Sequence, residues 1–325
     1  DQVPPSDYNY IWKVPITYAT NKDNPTHWDD PRVTWLDSQT GERTGVDTTA
    51  DWIIGNLNCG FYYRVNYDEA TWAAIKRQLT NDHTVIKVNS RSQLIDDAFN
   101  LGRGGIIDQT VALNLSSYLQ KENEWFPWRA FSGNIGYFSD MLVVTGSYGA
   151  LQKYVQNALK NVYQDTMWDP STLDPLKEHT ARSKRRTILS LACGYGIEGC
   201  VTRASALFKS WMTSTTGNPI EVDLRPVVYC NGIAAGGQAE WEFAYDQLSK
   251  SNSGAESQNL ISALGCAKQG WLLRRYMEEA LAENAPLRRQ DFRDVIRTVA
   301  ANSVGRNIAW ESFVENYDTI FERFG

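Results

Sequence analysis

The sequence predicts a mostly α-helical protein: a HEAT- or armadillo-like α-solenoid of antiparallel helix pairs, preceded by a small β-sandwich. Three observations carry this reading. The hydrophobic pattern changes near residue 67 from short β-like runs to a helical period. Periodic stretches of helix length then follow one another, most of them broken by Gly, Pro or Asn. The chain of 325 residues is also longer than one ordinary compact domain. The expected boundaries are 1–67 for the β module and 68–325 for the helical part. No strict period repeats, so the solenoid rests on helix length and short turns rather than on a sequence repeat.

Four β-like runs open the chain. Tyr10–Tyr18 is rich in aromatic and β-branched residues, and Val33–Leu36, Trp52–Ile54 and Gly60–Val65 follow. Turn signals separate them at 21–25 and 40–45. The chain begins abruptly before the first run, so one edge of the sandwich is expected to be incomplete.

Asp68 is placed to cap the first helix, with Trp72, Ile75 and Leu79 on its apolar face. Ser90 is placed to cap the second, with Leu94, Ile95, Ala98, Phe99 and Leu101 on one side. Further helices are predicted over 108–121, 127–143, 147–164, 173–193, 198–213, 223–235, 238–250, 255–266, 268–283, 288–302 and 304–323.

Composition narrows the function. Hydrophobic residues make up 42% and aromatics 12%, enough for substantial cores, so a globally disordered chain is excluded. A net charge of −6 argues against nucleic acid as a partner. No apolar run reaches the ~20 residues that span a bilayer. The start at Asp1, without Met or a signal-peptide pattern, reads as a processed form or a piece of a larger protein.

The cysteines are Cys59, Cys193, Cys200, Cys230 and Cys266, with no C-x-x-C among them. Two disulfides and an odd thiol, implying an oxidising compartment, stand against five buried reduced thiols. Histidines occur at 27, 83 and 179 only, without an H-x-x-x-H pair, so no zinc site is expected within this chain. No cofactor is expected in it either.

Gly194-Tyr-Gly196-Ile-Glu-Gly199 matches G-x-G-x-x-G, but the run before it keeps a helical period and no parallel strand follows. With cysteines on both sides, it reads as a disulfide-tied turn between helices. Ser147 lies outside any G-x-S-x-G elbow, and no Walker A lysine is present. The pairs Asp29-Asp30, Asp96-Asp97 and Glu278-Glu279 read as surface charge. Arg182, Lys184, Arg185 and Arg186 form the densest basic cluster, either an anion site or a solvated helix face. Asn114-Leu-Ser116 is the one glycosylation sequon.

An ordered series of motifs carries a family resemblance. Gly60-Phe-Tyr-Tyr-Arg64-Val-Asn66-Tyr67-Asp68 resembles a G-Y-Y-R-V-N-Y-D segment, and Arg91–Leu101 resembles R-x-Q-[IL]-I-x-D-A-F-x-L. Leu113-Asn114-Leu, Trp125–Trp128, Val228–Gly237 with Glu240–Phe243, and Ala309–Val314 follow in the same order. Together they resemble the C-terminal region of gluzincin (M1) zinc aminopeptidases of the aminopeptidase N type, from about Tyr8 to Gly325.

The resemblance implies a parent exopeptidase that removes N-terminal residues from peptides. Its H-E-x-x-H and G-A-M-E-N-like segments are absent here, so no catalytic residue carries over and zinc is expected in the missing catalytic domain. The helical domain of the family encloses the peptide cavity and supports domain closure, and in animal members it forms a homodimer contact. The resemblance also implies the bridges Cys193–Cys200 and Cys230–Cys266. It leaves Cys59 as a departure: a free buried thiol, or a partner for an absent portion of chain. The family continues through further helices beyond the position of Gly325. An extracellular or secretory-lumen ectodomain of a membrane-anchored glycoprotein is implied, and Asn114 gains weight in that setting.

Two functions follow. The first is a non-catalytic region of such an aminopeptidase, with the rest of the parent and peptides as partners. The alternative is a stand-alone helical-repeat module that binds peptides or proteins without protease activity. An upstream H-E-x-x-H in the full gene product discriminates between them. A peptide carboxylate in the cavity favours basic donors beside aromatic side chains. Lys268, Trp271, Arg274, Arg275 and Tyr276 are the first candidates for that wall, and Arg182, Lys184, Arg185 and Arg186 the second.

Overall fold

The computed structural model describes residues 10–42, 44–169, 173 and 177–324. Tyr8, Gly325 and residues 174–176 of one predicted helix lie outside the described residues. The chain divides into two compact units, one ending at Gly136 and the other starting at Tyr137.

In the first unit, β1 (Val14–Ile16) pairs antiparallel with β3 (Thr34–Leu36), Val14 opposite Leu36. Strand β2 (Tyr18–Thr20) pairs antiparallel with β4 (Ile53–Gly55), Tyr18 opposite Gly55. The long first run thus splits into two strands at Thr17. Its carbonyl accepts the Asn56 N–H at 2.9 Å and its hydroxyl accepts the Leu57 N–H at 3.0 Å, so the backbone changes partner there. Gly60–Val65, expected as a strand, forms no ladder among the described residues. Side chains satisfy its backbone instead. The Asn56 amide donates to Phe61 and Tyr63 carbonyls and accepts the Phe61 N–H, and Asp97 accepts the Val65 N–H.

Among the described residues fourteen α-helices follow. The first unit holds α1 (Glu69–Asp82), α2 (Val88–Arg103), α3 (Gln109–Ser116) and the start of α4 (Trp125–Leu142). Asp68 caps α1 as expected, accepting the Thr71 N–H at 2.7 Å. Ser90 does not cap α2: it is buried in the helix's first turn, and its hydroxyl accepts the Asn58 N–H at 2.9 Å. Trp28, Trp52, Trp72, Ile75, Leu94, Phe99, Trp128 and Phe131 form the core of this unit. Each such side chain contributes roughly 1.5–3 kcal/mol on burial.

The second unit holds α5 (Tyr148–Leu159), α6 (His179–Gly194), α7 (Glu198–Met212), α8 (Arg225–Ala235), α9 (Gln238–Lys250) and α10 (Gly254–Leu264). It closes with α11 (Gly270–Leu281), α12 (Phe292–Ala301), α13 (Arg306–Glu315) and α14 (Tyr317–Phe324). Packing runs α6 on α8, α8 on α10 and α10 on α12, while α7 meets α9 and α11 meets α13. The stretch expected as one helix over 304–323 breaks at Asn316, whose amide donates to the Ser312 carbonyl at 2.9 Å and competes with the helical ladder. Among the described residues no helix is long and apolar enough to cross a membrane.

An aromatic cluster joins α7, α8 and α9. Trp211 stacks on Tyr229 with centroids 4.6 Å apart, and Phe208 and Phe243 meet them edge-on. A Cβ at Gly232 would collide with the Phe208 ring, so α7 and α8 approach as closely as they do because that residue is glycine.

Candidate functional site

The second unit carries a groove of about 490 Å³. The end of α4 supplies Ser139 and Asp140, the end of α6 Cys193 and Gly194, and α8 Cys230, Asn231 and Ala234. The turn after α10 adds Gly265, Cys266 and Lys268, and the end of α12 adds Thr298, Ala301 and Asn302.

Local chemistry fixes each wall. At the end of α6, the Gly196 N–H bonds the Cys193 carbonyl and the Ile197 N–H bonds the Ala192 carbonyl, a Schellman closure that needs a left-handed residue at Gly196 (φ +78°). The glycine pattern at 194–199 is therefore a helix–helix turn, as its flanking cysteines suggested. Cys193 is bonded to Cys200 across this turn, and Cys230 to Cys266 between α8 and the turn after α10. These are the pairs the family resemblance implies. The Asn302 amide donates to the Gly265 carbonyl at 2.8 Å and the Ala267 carbonyl at 2.7 Å, tying the turn to α12.

The groove is electrostatically asymmetric. Asp140 is neutralised by Arg306 at 3.1 Å. Lys268 is exposed and has no ion-pair partner among the described residues. Ser139 and Tyr195 share a hydroxyl contact of 2.6 Å, and burial pushes the Tyr195 phenol up from its ordinary pKa. The net balance suits an anionic group near Lys268 in a mostly neutral trough.

A second cavity, about 930 Å³, lies in the first unit beneath the Gly60–Arg64 segment. Its acids are engaged: Arg64 meets Asp96 at 2.5 Å and Asp97 at 3.2 Å, and Asn134 donates to Asp96, while Arg103 and Arg129 also line the cavity, Arg129 lying over the Trp125 ring. Asp97 is buried, not the surface charge expected, and burial raises its carboxyl pKa despite hydrogen bonds from Val65 and Gln93. Cys59 opens onto this cavity. It is exposed rather than buried, and no disulfide partner for it is present among the described residues.

Of the basic and aromatic candidates, Lys268 lines the groove and the others do not. Tyr276 is fully buried and its hydroxyl donates to the Ile261 carbonyl at 3.1 Å, a core position. Arg274 meets Glu311 at 2.8 Å, and Trp271 is exposed away from the groove lining. Arg275 meets Glu242 at 3.0 Å and lies over the Trp241 ring. Arg182 is paired with Asp223, and buried Arg185 reaches Glu221 at 2.5 Å, so two members of the basic cluster fasten α6 to the turn before α8. Arg186 is exposed and outside the groove lining, and so is Lys184, which is half-buried. Asn114 is exposed on α3, while Ser116 of the sequon is buried. Ser139, Asp140, Asn231 and Asn302 escaped the sequence reading. They are small and uncharged or isolated, and only the fold collects them from distant helices.

No three His, Cys, Asp or Glu side chains converge among the described residues in a way that fits a metal ion. His27 contacts the Tyr18 carbonyl at 2.9 Å, and His83 stands 4.0 Å from Glu122, which Arg91 already engages.

Fold and groove define a mostly helical chain with short antiparallel strand pairs in its first unit and a groove flanked by two disulfide bridges in its second. Residues 52–325 match the family of the ERAP1-like C-terminal domain, and the chain belongs to that family. It is 36% identical to aminopeptidase N of Oryctolagus cuniculus, over 99% of this chain and 33% of that protein. It is 35% identical to aminopeptidase N of Bos taurus over the same shares. Against the thyrotropin-releasing hormone-degrading ectoenzyme of Rattus norvegicus the identity is 31%, over 98% of this chain and 30% of that protein. The chain spans about a third of the length of these relatives.

Proposed function

We propose that this chain is the non-catalytic C-terminal region of a zinc aminopeptidase, and that its groove forms part of the wall enclosing the substrate peptide. The observation that carries the reading is Lys268, a cation without an ion-pair partner among the described residues. It lies in a groove whose one acid, Asp140, is already paired. A peptide held by its N-terminus at a distant catalytic centre presents its C-terminal carboxylate to such a wall, where a charge-assisted hydrogen bond is worth more than a neutral one. The alternating contacts α6–α8–α10–α12 support an α-solenoid, with the groove lined by the ends of α6 and α12, by α8 and by the turn after α10. The two bridges favour an extracellular or lumenal setting, as an ectodomain glycosylated at Asn114. Domain closure and dimerisation are the further roles of such a region, and zinc belongs to the part of the parent that holds H-E-x-x-H.

The test separates the region from its parent. The isolated chain, given zinc and a leucine-amide fluorogenic substrate, should neither turn over nor retain stoichiometric metal. Chelator-sensitive turnover with about one bound zinc would contradict the assignment.

A further inference from the structure

Cys59 is the exposed thiol at the cavity of the first unit, while the other four cysteines are bridged. Conditions that keep two bridges oxidised expose such a thiol to exchange with small disulfides. The backbone beneath it is pinned. Asn58 and Cys59 are both left-handed, at φ +58° and +56°. The Asn58 amide donates to the Trp28 carbonyl at 2.6 Å, its N–H donates to the Ser90 hydroxyl, and the Cys59 N–H donates to the Asn56 carbonyl at 3.0 Å. Such a backbone persists only where its surroundings hold it.

The cavity beside the thiol offers an unspent acceptor. Gln93 lines it and is 7% exposed. Its amide nitrogen donates to Asp97 at 3.2 Å, but its Oε1 is buried with no hydrogen-bond partner among the described residues. A buried acceptor without a donor is costly, so the site calls for an N–H or O–H from a ligand. The cavity also offers guanidinium groups. Arg103 and Arg129 are exposed on its lining, and Arg129 is steadied over the Trp125 ring at 5.4 Å. A guanidinium recognises a carboxylate with two parallel hydrogen bonds. At about 930 Å³ the cavity has room for a small molecule that carries both groups.

We propose that Cys59 is a thiolation site for a small zwitterionic disulfide, each half of which carries an ammonium and a carboxylate, as in cystine and glutathione disulfide. The Cys59 thiol gives its proton to solvent, and its sulfur bonds one sulfur of the ligand. The ligand S–S bond breaks, and the departing thiolate takes up a proton. Cys59 ends as a mixed disulfide and one ligand half leaves reduced. The retained half sets its carboxylate against Arg129 and its N–H groups toward Gln93 Oε1 and Asp96. Burial, then the Asp97 and Asp96 charges, push the free thiol pKa up against the pull of Arg64, so the thiolate is scarce and random oxidation slow. An ammonium beside Asp96 relieves that repulsion. This site lies in the first unit and does not depend on the peptide reading of the groove.

The probes are glutathione disulfide, cystine and the neutral hydroxyethyl disulfide, each given to the whole chain and followed by intact mass and peptide mapping. One adduct should form, on Cys59, with both bridges intact. Its rate should saturate with the zwitterionic probes and rise linearly with the neutral one. In an equal mixture, the adduct mass identifies which zwitterion the cavity prefers. Arg129→Ala should slow the zwitterionic probes about tenfold, the worth of one charge-assisted hydrogen bond, and leave the neutral probe unchanged. Gln93→Met should act in the same direction. Arg129 is exposed, so its variant keeps the fold and decides the matter if Gln93→Met does not fold. Equal, unsaturated rates for all three probes, or no effect of Arg129→Ala, overturn the proposal and leave Cys59 an ordinary exposed thiol. The intact parent should take the same adduct. Non-reducing mapping that finds Cys59 bridged there to another cysteine also overturns it.

Discussion

The side-chain amide of Asn302 stands 2.7 Å from the Ala267 carbonyl and 2.8 Å from the Gly265 carbonyl, so one residue at the end of α12 grips the backbone on both sides of Cys266. The turn that presents Lys268 to the groove is thus held by a disulfide from α8 and by two hydrogen bonds from α12. Asn302→Ala strips both carbonyls of their donor. We expect a loss of about 1–2 kcal/mol, read from urea unfolding, because the site is only partly buried. Asn302→Asp should cost more, since an acceptor then faces two acceptors.

The two bridges should differ in weight. Cys230–Cys266 closes a separation of 36 residues and Cys193–Cys200 one of 7. Loop-closure entropy gives about 4 kcal/mol for the longer and about 2.5 kcal/mol for the shorter. Paired Cys→Ala variants, compared by melting temperature, should rank in that order.

Arg91 and Glu122 form a buried ion pair in the first unit, 2.7 Å apart, with Tyr118 donating to the same carboxylate at 3.1 Å. Removing one partner leaves a buried charge, so Arg91→Ala should cost about 3–5 kcal/mol. The exposed pair Lys250–Asp246 should cost less than about 1 kcal/mol when Lys250 is replaced by Ala. Equal effects of the two substitutions would count against the burial argument.

Acid stability should depend on three capping carboxylates. Asp68, Asp82 and Asp108 each titrate below the ordinary 3.8, mainly through hydrogen bonds from Thr71, Thr84 and Thr110. A lowered folded-state pKa stabilises the fold above the unfolded value, and that contribution disappears as pH falls through the lowered value. Asn caps a helix about as well but does not titrate. The triple Asp→Asn variant should therefore melt close to the parent at pH 7, with a shallower decline below about pH 4. Buried Asp97 has the opposite sign, because its raised pKa favours the fold at lower pH.

The helices were legible because burial of one face imposes a period that survives without knowledge of the partner. Asp68 declared α1 through its cap, and Trp72, Ile75 and Leu79 declared its buried face. Ser90 misled because a hydroxyl beside a helix start has the same local signature whether it caps that helix or serves another segment, here Asn58. Gly60–Val65 has strand composition, yet Asn56 and Asp97 satisfy its backbone, and nothing local in the sequence announces side chains acting as ladder partners. Lys268 was legible as a cation near a bridge. Arg275 and Tyr276 lie on the same stretch, but Arg275 finds Glu242 and Tyr276 finds the core, and those partners are set by the packing of α9, α10 and α11.

The most direct test of the account uses the full-length parent enzyme. Lys268→Ala should raise KM for longer peptides by roughly three- to tenfold, the loss of one partly exposed charge-assisted hydrogen bond, while a single-residue amide substrate is unaffected. Lys268→Arg should restore most of the difference. Arg275→Ala, which removes a paired guanidinium outside the groove, should leave both substrates alone. If Lys268→Ala shifts both substrates equally, or neither, the groove does not face the peptide and the central claim fails.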